Sequence, residues 1–184
     1  MERLNGVGAA FCGGGFRAFA EVAAVEDMER AGVRIGAVAG TSMGAMVATL
    51  VAAGLSSGRI ADLLIEMDQR IVKEGILRGM KLRVISLANS NGLIENSVVE
   101  DQARVVLHEA NISKFSDLSM PLAITAVDIL TGDLCVFTND TELFADNTGG
   151  WTLIPGNHDL AKIITASASY PLVIQPTTYV GHLF

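Results

Sequence analysis

The sequence predicts an α/β protein, on three observations. Half of its 184 residues are apolar and only 18% are charged. Short apolar runs near the start each end in glycine and give way to segments with helical spacing. The order strand, helix, strand, helix at that spacing describes a parallel βαβ unit, right-handed and covered on both faces. A chain of this length buries a core without staples, and no linker, repeat or low-complexity tract divides it. Residues 1 to 184 are therefore expected to form a single domain, and a disordered class is excluded.

The first strand is expected from about Val7 to Phe11, closed by Cys12-Gly13-Gly14-Gly15. A helix follows from about Arg17 to Ala31, with Phe19, Val22, Ala23 and Met28 inward and Gly32 as its stop. Ile35 to Ala39 forms the second strand and runs into Gly40-Thr41-Ser42-Met43-Gly44, after which a helix extends to about Ala53. Arg59 to Glu74 places Ile60, Leu63, Leu64, Met67 and Ile71 on one helical stripe. Ser97-Val98-Val99-Glu100 reads as a capping box opening a helix that reaches Glu109. Pro121 to Val127 and Leu134 to Thr138 are strands joined by a tight turn at Thr131-Gly132. Residues 139 to 157 read as a surface loop. Asn157 is expected to cap a last helix from about His158 to Ala168, and Leu172 to Phe184 is strand-like.

Charge and cysteine content narrow the function classes. Thirteen basic residues stand against twenty acidic ones, a net charge of −7 with no basic cluster, which argues against binding to a phosphate backbone. The two cysteines, Cys12 and Cys135, form neither a disulfide framework nor a metal motif. Both are expected to be small buried hydrophobes in a reduced compartment, with no metal and no cofactor. Glu2, Arg3 and the early glycines make the start unlike a secretory leader, so a cytoplasmic protein is expected, peripheral at membranes or exported without a signal peptide. Between Arg34 and Arg59 no residue is charged, a length sufficient to span a bilayer. Five glycines and five hydroxyl residues in that stretch favour a buried strand, a turn and a buried helix instead.

The sharpest chemical signal is Ser42 between Gly40 and Gly44, after an apolar strand and before a helix. That is the arrangement of a nucleophile elbow, in which glycines permit a tight, strained turn. The helix beginning at Met43 adds free amide hydrogens where an oxyanion would form. Taken alone, the same five residues also suit a plain strand-to-helix turn. Gly13, Gly14 and Gly15 close the first strand of the same unit and expose consecutive amides, which suits an oxyanion hole or a phosphate cradle. A Walker loop would need Gly-Lys and then Ser or Thr, whereas Phe16-Arg17-Ala18 follows; a dinucleotide fingerprint from Gly6 meets Phe11 at its third glycine. A Ser-Asp-His triad would take Ser42, then Asp128 or Asp133, then His158 or His182. Simpler roles compete. His158 suits a helix start, His108 an exposed helix face, His182 a solvated end and Asp128 a turn.

Gly13-Gly14-Gly15-Phe16-Arg17, followed about twenty-five residues later by Gly40-Thr41-Ser42-Met43-Gly44-Ala45, closely resembles the patatin-like phospholipases. Thr125-Ala126-Val127-Asp128 with Thr131-Gly132, and Ala166-Ser167-Ala168-Ser169-Tyr170-Pro171, are similar to that family too. The resemblance implies a three-layer α/β/α fold with a mainly parallel central sheet, and lipid acyl hydrolysis by a Ser-Asp dyad. It places Ser42 as nucleophile, Gly13, Gly14 and Gly15 as oxyanion loop, Gly40 and Gly44 as the elbow, and Arg17 against the substrate. Its implied partner is a lipid ester or phospholipid at a membrane surface. Two positions depart from the pattern. Ala18 stands where the family carries glycine, which keeps the backbone only if the site is helical. The family's catalytic Asp-Gly-Gly/Ala motif does not occur in residues 1 to 184, and the chain is expected to stop just before it. The alternative is a catalytically silent module that binds lipid or a protein partner.

Overall fold

A computed structural model describes residues 6–75, 92–145 and 149–184. Strand β1 (Val7–Phe11) leads through a short 3-10 turn (Gly15–Ala18) into helix α1 (Phe19–Arg30). Strand β2 (Ile35–Thr41) and helix α2 (Met43–Ala52) follow, then α3 (Ser57–Lys73). The remaining elements are β3 (Gly92–Ile94), α4 (Asn96–Glu109), β4 (Leu122–Val127), β5 (Leu134–Thr138), β6 (Thr152–Pro155), α5 (Leu160–Ala168), β7 (Leu172–Ile174), β8 (Thr178–Tyr179) and β9 (His182–Leu183).

Five strands form one sheet in the order β1-β2-β4-β5-β6. The pairs β1/β2, β2/β4 and β5/β6 are parallel, and the β4/β5 hairpin is antiparallel. This is the mainly parallel α/β sheet that the sequence predicts. Consecutive residues of β4 (Leu122, Ala123, Ile124) and β5 (Cys135, Val136, Phe137) are buried, so both faces are covered there. Nine of the ten α2 residues are buried, from Gly44 to Ala52, which explains why its sequence shows no polar stripe. The stripe on α3 is also as predicted, with Ile60, Leu63, Leu64 and Met67 buried. Ser56 caps that helix by accepting the Arg59 amide hydrogen. No helix among the described residues is long and apolar enough to cross a membrane.

Several local expectations need correction. Cys135 is buried but Cys12 is exposed, because it lies in the loop beyond β1 rather than in the strand. On α1 the inward residue beside Val22 is Val25; Ala23 is exposed. Helix α4 starts one residue earlier than its expected capping box, so Ser97 falls inside the first turn and no side chain caps it. The loop from 139 to 157 contains a strand, β6, held by parallel pairing to β5 from Cys135↔Thr152 to Thr138↔Pro155. Asp159 rather than Asn157 caps α5, its carboxylate accepting the Lys162 amide hydrogen at 3.2 Å. The strand-like end breaks into three short strands, of which β8 and β9 pair as a hairpin.

Candidate active site

Parallel pairing brings the ends of β1, β2 and β4 together: Phe11 lies opposite Gly40, and Thr41 opposite Thr125. The hydroxyls of Thr41 and Thr125 are 2.6 Å apart and tie β2 to β4 one residue before Ser42. Ser42 has φ 55° and ψ −124° at the head of α2, a conformation that L-residues seldom adopt. Close packing explains the glycines on either side. A Cβ on Gly40 would lie 2.4 Å from the Gly44 carbonyl oxygen, and one on Gly44 would lie 2.4 Å from that of Cys12. Only glycine lets the first strand, the elbow and the helix meet so closely.

The glycine loop sits against the elbow. A Cβ added to Gly13 would lie 3.4 Å from the Ser42 Cβ, and Gly15 and Phe16 share a cavity wall with Ser42. Gly14 has φ 149° and Gly15 φ 60°, which turn the chain sharply into the 3-10 segment. Ala18 is helical at φ −62° and ψ −16°, so the methyl group at this position keeps the backbone. Arg17 lies in the same turn with its side chain exposed, and it is outside the cavity wall.

Two residues not foreseen as site residues hold these parts in place. The Ser42 amide donates to Ser167 Oγ at 2.7 Å, joining the elbow to the end of α5. The Cys12 amide donates to Glu21 Oε1 at 2.7 Å, joining the start of the glycine loop to α1. A hydrogen bond from the Cys12 thiol to the Glu21 carboxylate, together with its negative charge, pushes the thiol above its ordinary pKa, away from the thiolate. Ser167 stood in a run of small and hydroxyl residues, and Glu21 in the first turn of a helix. Neither signal identifies a partner more distant in sequence.

The cavity opens to solvent on one side and has a volume of about 200 Å³. Its wall is nearly all apolar, with Met43 and Met46 from α2, Met67 and Ile71 from α3, and Val98 and Ile164 from α4 and α5. Among the described residues that line it there is no carboxylate and no imidazole. Asp128 and His182 meet elsewhere, with Nδ1 2.8 Å from the Asp128 carboxylate. This hydrogen bond, reinforced by the Leu130 amide, holds the Asp128 carboxyl below its ordinary pKa. His182 is therefore bound to a carboxylate rather than simply solvated. His158 is not a surface cap either. Its ring packs edge-on against Phe115, Phe137 and Tyr179, with Nδ1 3.3 Å from the Tyr179 hydroxyl.

Comparison with known proteins places the chain in a wider group. The family model of the patatin-like phospholipases matches residues 9–184. Over 170 residues the chain is 29% identical to the uncharacterized protein YqhO of Bacillus subtilis (strain 168), covering 90% of this chain and 56% of that protein. The chain thus spans about half the length of that curated relative. Its fold is similar to ExoU in the heterodimeric ExoU-SpcU complex from the type III secretion system of Pseudomonas aeruginosa. That match has a TM-score of 0.53 at 18% identity, covering 92% of this chain and 37% of the other.

Proposed function

Because the chain belongs to the patatin-like phospholipase family, we propose that it is a serine acyl hydrolase cleaving phospholipid or other lipid esters at Ser42. The observation that carries this reading is Ser42 itself. It is held at φ 55° on a buried helix, beside a glycine loop and in the wall of an apolar cavity.

In this mechanism the lipid acyl group occupies the cavity with its ester carbonyl at the Ser42 hydroxyl. The catalytic Asp takes the hydroxyl proton as Oγ bonds to the carbonyl carbon. Amides of the Gly13-Gly14-Gly15 loop, aided by the free amides at the start of α2, stabilise the negative oxygen of the tetrahedral intermediate. Collapse breaks the ester bond and the alcohol leaves with the proton. Water, deprotonated by the same carboxylate, then bonds to the acyl carbon; the Ser42 Oγ–acyl bond breaks, the carboxylate returns the proton to Oγ and the fatty acid leaves. Arg17, exposed beside the loop, attracts the phosphate of a phospholipid. The family's Asp-Gly motif does not occur among residues 1 to 184, so no residue of the chain is assigned as the base.

A second reading, a lipid-binding module without turnover, is favoured by the absence of a carboxylate or imidazole among the described cavity-lining residues. Fluorophosphonate labelling separates the two, since it needs an activated serine. Wild-type protein, tested with any following Asp-Gly segment included, is expected to label and to hydrolyse esters, and Ser42→Ala to do neither while melting at the same temperature. Equal labelling of both proteins would remove Ser42 from the mechanism. An unreactive wild type would favour the binding module.

A further inference from the structure

We infer that the cavity beside Ser42 buries about eight carbons of an acyl chain and no more. The inference rests on the acyl-hydrolase reading for the identity of the occupant. A nucleophilic serine in the wall fixes the ester carbonyl at one point, so one side of the ester must enter. The wall is apolar and contains no charged residue among those described, which excludes a polar head group and admits the acyl chain.

Volume sets the length. A closed apolar cavity of about 150 Å³ holds benzene, six carbons. The cavity here is open to solvent on one side, so by that measure its 200 Å³ buries about eight carbons and leaves any further chain in water. The wall formed by α3 and α4 is also fastened. Arg70 on α3 donates from Nε to the Gln102 side-chain oxygen at 3.3 Å and from Nη1 to Glu109 at 3.4 Å. The Gln102 amide nitrogen donates in turn to Glu74 at 3.2 Å. Gln102 lines the cavity, so this bridge joins the two helices directly behind the occupied space. Separating them to admit a longer chain would break three hydrogen bonds at once.

Calorimetric titration of the 184-residue chain with saturated fatty acids from six to sixteen carbons, each below its micelle concentration, tests this without requiring turnover. Affinity is expected to rise about fourfold per methylene and to level off near eight carbons. A steady rise to sixteen carbons, or no binding at any length, would overturn the inference. Val99→Phe, on the cavity face of α4, removes space equal to roughly two carbons by the same benzene measure and should move the levelling point to about six. A folded Val99→Phe protein that levels off at the wild-type length would assign the binding to another place. Ser42→Ala should keep the wild-type length profile. A silent serine with this profile intact would overturn hydrolysis and leave the cavity assignment standing, whereas a reactive serine without it would do the reverse.

Discussion

Ser42 lies in a region of backbone space that usually costs about 1–3 kcal/mol, and its neighbours show how it is kept there. Gly40 and Gly44 allow backbone contact on both sides, and Ser167 takes the Ser42 amide hydrogen that the turn would otherwise leave unpaired. The glycine loop has a similar dependence on geometry. Gly14 stands at φ 149° next to Gly13, which lies against Ser42, and on the oxyanion-loop reading Gly14→Val should reorient or block its amide. Losing one oxyanion donor removes about 3–4 kcal/mol of transition-state stabilisation, so turnover should fall by roughly a hundredfold or more. The check is kcat with the folded fraction measured in parallel, because valine also strains this backbone. Normal turnover in a folded variant would assign the loop to packing alone.

Among the elements, the Asp128–His182 pair ties the turn after β4 to β9, and the Ile129 amide donates to the Leu183 carbonyl at 2.8 Å beside it. The Asp128 carboxyl is held below its unfolded pKa of about 4, chiefly by the hydrogen bond from His182. Its contribution to stability is therefore complete above that value and is lost as the pH falls through the lowered one. Urea midpoints should drop more between pH 5 and pH 3 in wild type than in Asp128→Asn; parallel curves would deny the pair a stabilising role. The βαβ unit, the stripe of α3 and the elbow were legible because their signals are local: apolar runs, helical spacing and glycines in turns. What sequence missed depends on distant partners. Strand β6 is four residues long and exists through pairing with β5. Asn157 does not cap α5 because its oxygen accepts the Ser116 amide hydrogen at 2.9 Å. The aromatic packing of His158 joins residues as far apart as Phe115 and Tyr179, which no local pattern connects.

For the whole molecule, the Ser-Asp reading makes a quantitative demand on where the base resides. A serine hydroxyl near neutral pH needs a positioned base, and no Asp in residues 1 to 184 is followed by glycine. The chain ending at Phe184 should therefore turn over lipid esters far more slowly than one extended through a following Asp-Gly segment, by about a hundredfold or more for a missing general base. Equal rates would move the search for a base inside these residues. The mixed direction of the central sheet has a further consequence, for the order of assembly. The β4/β5 hairpin closes between sequence neighbours, whereas Thr41 and Thr125 meet across 84 residues. Closing the longer loop costs more chain entropy, so β2 should dock on a hairpin that already exists. Pulse-labelled hydrogen exchange during refolding should protect the amides of 123–137 before those of 38–41. The serine then reaches its strained geometry only when parts of the chain 84 residues apart have met, which makes the Ser42 turn a late product of folding.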